Sequence, residues 1–202
     1  GGRGRLILAL DATMSRQPTW DAAVKLQDEM FREAAAVGGL DIQLVYYRGL
    51  GECRASPWIS DGSRLSALMQ RIDCQGGQTQ IQKVLSHARK ETQRAKVQAL
   101  VFVGDAMEES LDAICASAGE LGLLGVPAFV FQEGGDPIAV QGFKEIARLT
   151  HGAYCRFDEG AARELGELLR AVAVFAAGGM KALSDLSARQ NAGAQKLLAQ
   201  LR

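Results

Sequence analysis

The chain has no excess of charge of either sign: 23 Lys and Arg balance 23 Asp and Glu, for a formal net charge of zero. A phosphate-backbone binder needs a basic footprint, so this balance argues against nucleic acid as a partner. It argues equally against an acidic disordered tail. Histidine is scarce at 2 residues, His87 and His151, and no Ser/His/Asp triad can be drawn from them. His87 falls among charged residues at a surface position, and His151 precedes Gly152 as a turn residue. The four cysteines, Cys53, Cys74, Cys115 and Cys155, lack CxxC spacing. They read as free, mostly buried thiols of a reducing compartment rather than as zinc ligands or disulfides. There is no run of about 18 apolar residues, so no membrane span is expected. No signal peptide is visible, and a cytoplasmic location is the expectation. The chain opens Gly1-Gly2-Arg3-Gly4-Arg5 without a methionine.

What is present is an alternation of strand-like and helix-like segments. With 202 residues, 48% of them apolar, one domain with a sizeable core is expected. Strands are expected over 5–10, 41–47, 52–60, 97–103, 126–131 and 153–157. Helices are expected over 20–37, 62–72, 81–94, 108–121, 137–149 and 161–176. Thr19 is a candidate N-cap and Gly38-Gly39 a stop for the first helix. Pro57 confines the third strand to a sheet edge. This rhythm predicts an α/β fold: a doubly wound, mainly parallel six-stranded sheet flanked by helices. Gly178-Gly179 ends that domain, residues 1–177. Over 178–202 one further amphipathic helix is expected, with Leu183, Leu186, Ala194, Leu197 and Leu201 as its stripe. It serves either to pack on its own domain or to bind a partner.

In a doubly wound sheet, ligands sit at the carboxyl ends of the strands, at the point where the winding reverses. Leu6-Ile7-Leu8-Ala9-Leu10 runs directly into Asp11-Ala12-Thr13-Met14-Ser15. Ala99-Leu100-Val101-Phe102-Val103-Gly104 likewise ends in Asp105, and between them Gly76-Gly77-Gln78 leads to Thr79. If both runs are parallel strands, Asp11 and Asp105 project from one sheet edge. Two carboxylates and up to three hydroxyls there form a set of hard oxygen donors suited to Mg²⁺. Singly, each has an ordinary reading as a cap or a loop residue. Arg16, beside the motif, reads as a solvated loop arginine, with contact to a partner's acid as the alternative. Glu108-Glu109 either add negative potential near the site or favour a helix N-terminus.

Asp11-x-Thr13-x-Ser15, then Thr79, then Asp105, in that order, resemble the von Willebrand factor A (vWA) domain with its metal-ion-dependent adhesion site, or MIDAS. The family's middle Ser is Thr13 here, and its usual Asp-Gly is Asp105-Ala106, which alters the turn. The segment Ile146 to Tyr154 resembles the family's late helix-to-strand passage, with His151-Gly152 where Gly-Gly is common. The resemblance covers roughly residues 5–176 and implies a Rossmann-like fold with an extra C-terminal helix. It implies metal ligation of Mg²⁺, or Mn²⁺ or Ca²⁺, by Thr13, Ser15 and Thr79, with Asp11 and Asp105 binding directly or through water. It further implies a non-enzymatic interaction module whose metal accepts a partner's Glu or Asp. As in intracellular relatives, the module would be an adaptor in a multiprotein assembly, possible settings including AAA+ ATPases.

Two alternatives remain open on the sequence. One is a Mg²⁺-dependent phosphoryl-transfer or hydrolase domain, against which stand the missing GxxxxGK-Ser/Thr loop and the Thr at position 13 where Asp-nucleophile phosphatases carry a second Asp. The other is a structural module whose metal site is vestigial.

Overall fold

The computed structural model describes residues 2–201. Six strands form one sheet: β1 (Gly4–Asp11), β2 (Leu40–Arg48), β3 (Glu52–Ala55), β4 (Ala99–Gly104), β5 (Ala128–Glu133) and β6 (Ala153–Phe157), in the order β3-β2-β1-β4-β5-β6. All neighbours run parallel except the β2–β3 pair, a hairpin. The first three strands wind away from β1 on one side and the last three on the other. The winding therefore reverses between β1 and β4, which fixes the switch point there.

The central strands are apolar without alternation because helices cover both faces. Leu6, Leu8 and Leu10 of β1 enter one core, with Trp20, Met30, Leu65 and Val172 from the helices; Ile7 and Ala9 enter the other, with Val84, Ile114 and Phe143. The first core is covered by α1 (Gln17–Lys25), α2 (Gln27–Ala35), α3 (Gly62–Gln70), α7 (Ala162–Ala188) and α8 (Ala192–Gln200). The second is covered by α4 (Ile81–Arg94), α5 (Leu111–Leu123) and α6 (Pro137–Thr150). The doubly wound, mainly parallel sheet expected from the sequence is present.

Several boundaries differ from the expectation. The helix expected over 20–37 is two helices, α1 and α2, joined at Leu26. The first starts at Gln17, with Pro18 in its first turn, where a missing N–H costs nothing. Thr19 is therefore inside the helix and not its cap. The third strand stops at Ala55; beyond Pro57 only an isolated bridge, Ile42 to Ile59, continues it. The single tail helix is instead the end of α7, kinked at Gly179 (φ 75°), followed by the separate α8. Leu183, Leu186, Ala194, Leu197 and Leu201 are all buried in the first core. By length and composition α7 suffices to cross a membrane, yet Leu165, Leu168, Leu169 and Val172 fill that core.

His151 adopts the left-handed conformation (φ 59°) that closes α6, as a turn residue should. Gly152 follows because a Cβ there would lie 1.9 Å from the Ala128 carbonyl oxygen, so α6 can return to β6 only through glycine. The four cysteines are free thiols; Cys74 and Cys155 are buried and Cys53 and Cys115 half-buried.

Candidate functional site

Asp11 is the last residue of β1, paired with Tyr47 of β2, while Asp105 directly follows Gly104 of β4. A Cβ placed on Gly104 would lie 3.7 Å from that of Asp11. The two acids thus end adjacent parallel strands at the switch point. Asp11 is 4% exposed. One of its carboxylate oxygens accepts the Thr13 N–H (2.8 Å) and the other accepts the Tyr47 hydroxyl (3.2 Å). The motif loop is tied down on both sides. The Ala12 N–H donates to the Tyr47 carbonyl, and the Ala12 carbonyl accepts from the Gln75 N–H, both at 2.9 Å.

Thr79 arrives on the loop before α4. A Cβ on Gly77 would lie 2.0 Å from the Gly49 carbonyl oxygen, so only glycine lets the loop settle on the β2–β3 turn. The buried Thr79 hydroxyl donates to Glu109 (2.7 Å) and accepts from the Glu108 N–H (2.8 Å), while its own N–H donates to the Glu108 carboxylate (3.0 Å). Glu109 also accepts the Ile81 N–H. The acidic pair thus caps α4, a helix other than the one it precedes; Ser110 caps α5. A hydroxyl has two lone pairs, so Thr79 retains one for a further partner.

Arg16 corrects the sequence expectation of a solvated loop arginine. It is 6% exposed and pairs with Glu133, the last residue of β5, and with Asp105 (3.3 Å). Its Nε donates weakly to the exposed Ser15 hydroxyl (3.4 Å). Thr19 donates to the same Glu133 carboxylate (2.5 Å). The reason lies in the short 3-10 turn, Met14–Arg16, which leads into α1 and turns the Arg16 side chain under the loop toward β4 and β5. His87 is another correction. It is half-buried, its Nε2 lies 2.8 Å from Gln43, and burial lowers its pKa.

Burial pushes the Asp11 carboxyl upward, opposed by hydrogen bonds from Thr13 and Tyr47 and reinforced by the charge of Asp105. The buried Tyr47 phenol is raised well above its ordinary value, first by burial and then by Asp11, Glu109 and Asp105. Of these three acids, Asp11 is the one that the Tyr47 hydroxyl contacts. Among the described residues, no three His, Cys, Asp or Glu side chains gather as a metal-binding group. The site instead mixes carboxylates with hydroxyls, a set that fits a hard divalent cation. Ala106 needs no left-handed backbone, since among the described residues only His151 and Gln190 combine a side chain with positive φ.

Of the five residues expected at the site, Asp11 and Asp105 end adjacent strands, and Thr79 is tied to the loop after β4 through Glu108 and Glu109. Thr13 joins through its backbone N–H, and Ser15 borders Arg16 on the exposed side. Sequence reasoning missed Tyr47, Glu133 and the burial of Arg16. Glu133 carried a usable signal: it closes the strand one residue beyond the apolar run Ala128-Phe129-Val130-Phe131, after Gln132.

No family model and no curated protein sequence matches the chain. Among solved structures, a von Willebrand factor type A protein from Catenulispora acidiphila aligns with a TM-score of 0.66 at 14% identity, over 86% of this chain and 42% of that one. The VWA domain of SpRpn10 aligns at 0.65 and 12% identity, over 82% of this chain and 94% of that one. Proximal thread matrix protein 1 from the mussel byssus, with a zinc-occupied MIDAS motif, aligns at 0.63 and 14% identity, over 85% of this chain and 46% of that one. The chain thus spans less than half of two of these neighbours. The likenesses establish the fold: a vWA-type sheet with an added C-terminal helix.

Proposed function

We propose that the chain is a divalent-cation-dependent protein-interaction module, whose cation would be held by Thr13, Ser15 and Thr79 through hydroxyls and by Asp11 and Asp105 directly or through water. The observation that carries this reading is the placement of Asp11 and Asp105 at the ends of adjacent parallel strands at the switch point, with the buried Asp11 carboxylate held by the Thr13 N–H and the Tyr47 hydroxyl. A neighbour of the same fold holds zinc at its MIDAS motif; Mg²⁺ or Mn²⁺ is the ion proposed for this oxygen-only set. When bound, the ion would supply an open electrophilic position for a carboxylate.

This chain's residues set how electrophilic that position is. The hydroxyls are neutral, and Arg16 already compensates Asp105. Much of a +2 charge is then left for an incoming Glu or Asp of a partner protein. Asp11, oriented by Thr13 and Tyr47, would fix one side of the shell. The reading is of a binder and not an enzyme, working in a cytoplasmic multiprotein assembly, with an AAA+ ATPase-linked one as a candidate.

The test is calorimetric titration of Mn²⁺ with and without acetate. Linkage requires that each tighten the other by the same factor. Acetate binding that ignores Mn²⁺ would refute the bridged contact.

A further inference from the structure

Away from the switch point, β3 forms one end of the sheet, and a groove of about 370 Å³ lies between it and α4. Val45, Cys53 and Ala55 border its sheet side, and Lys83, His87 and Lys90 are among the helix residues opposite. Arg54 stands at the rim.

Two independent features of this groove point to one kind of occupant. The first is its backbone. The Ser56 N–H donates to the Leu44 carbonyl at 2.8 Å. The antiparallel register then pairs Tyr46 with Arg54 and Arg48 with Glu52. Hydrogen-bonded and non-bonded pairs alternate along such a ladder, so Arg54 and Glu52 bond inward to β2. Cys53 and Ala55, the residues between, turn their N–H and C=O groups outward. Among the described residues no strand lies beyond β3 to receive them.

The second feature is charge. Lys83 and Lys90 are seven residues apart, two turns or about 10 Å along one face of α4, and both are exposed. Among the described residues neither has a carboxylate partner; Lys83 reaches only the Gln80 side chain (3.1 Å) and the Gly51 carbonyl (3.4 Å). No Asp or Glu lines the groove. Glu52, at its rim, is engaged by Arg48 and Arg54, and Glu91 lies beyond His87, paired with Arg5.

We propose that this groove receives an extended acidic peptide segment of a partner protein, which adds to β3 as a seventh strand. Its backbone pairs with Cys53 and Ala55, and carboxylates on its helix-facing side meet Lys83 and Lys90. Main-chain bonds supply affinity and the lysines select acidic sequences. The interaction is separate from the metal site and needs no metal.

The test is fluorescence anisotropy with a labelled peptide of alternating glutamate and valine, which puts every glutamate on one face, measured in excess EDTA to silence any metal site. Saturable binding is expected that weakens with salt. Lys83→Glu with Lys90→Glu should weaken it roughly tenfold. Ala55→Pro deletes an outward N–H without touching the β2 ladder, and should weaken it as well. A peptide N-methylated at alternate residues should not bind, and thermal melts verify that the lysine variants fold. Equal affinity for the lysine variants, or for the N-methylated peptide, overturns the proposal. So does an absence of binding at millimolar peptide, in which case the lysines only guard the edge against self-pairing.

Discussion

The site at the switch point has two halves built from the same materials but balanced differently. On the β4–β5 side, Asp105 and Glu133 share the buried Arg16, and Thr19 supplies a further hydrogen bond. On the β1–β2 side, Asp11 is as deeply buried, yet its hydrogen bonds come from neutral donors of Thr13 and Tyr47. Its pKa rises where neutral donors alone must replace water around a charge. One half is complete without a ligand; the other carries an acid that an added cation would stabilise. Under the proposed function the two halves would have different jobs: the Arg16 half would support the loop, and the Asp11 half would attract the ion.

Breaking the compensated half should have the largest effect. Arg16→Met leaves Glu133 buried without its cation. A loss of about 3–5 kcal/mol is expected in urea unfolding, and adding Glu133→Gln should recover much of it. The double variant should also bind Mg²⁺ more tightly, because Asp105 no longer shares its charge with Arg16. Weaker Mg²⁺ binding in a folded double variant would reverse the assignment of roles.

Next comes the link between the halves and α4. Thr79→Val removes the donor to Glu109 and the acceptor of the Glu108 N–H. Denaturation should register a loss of about 1–3 kcal/mol. No change would mean that the cap on α4 is carried by Glu109 and the Ile81 N–H alone.

The smallest stability change should be a gain. The folded pKa of Asp11 is raised above its ordinary 3.8. Its stabilising contribution is therefore present below that pH and is lost as pH rises through the folded value. Asp11→Asn removes this loss while keeping an acceptor for Thr13. In EDTA at neutral pH the variant should melt above the wild type, the gap closing as pH falls. A variant that melts lower at every pH would show that the ionised acid is already satisfied.

The sequence made the sheet legible because parallel strands buried on both faces read as unbroken apolar runs. The acids ending β1 and β4 were legible for the same reason. The Arg16 network was not, because it joins residues 117 positions apart in sequence. Nothing at Arg16 marks which strand end it will face. Glu108-Glu109 hid in the same way, capping α4 from the loop after β4. The break at Leu26 was lost in the continuous helical spacing from Trp20 to Val37, and Gly178-Gly179 signalled an interruption that the chain realises as a kink at Gly179 alone. In each case local pattern announced the element, and tertiary contact decided its end.

The most direct test is calorimetric titration of Mg²⁺ into the wild type and Asp11→Asn, both shown to be folded. The account predicts one-to-one binding to the wild type and none to the variant. Equal binding by both, or no binding by either, would contradict it.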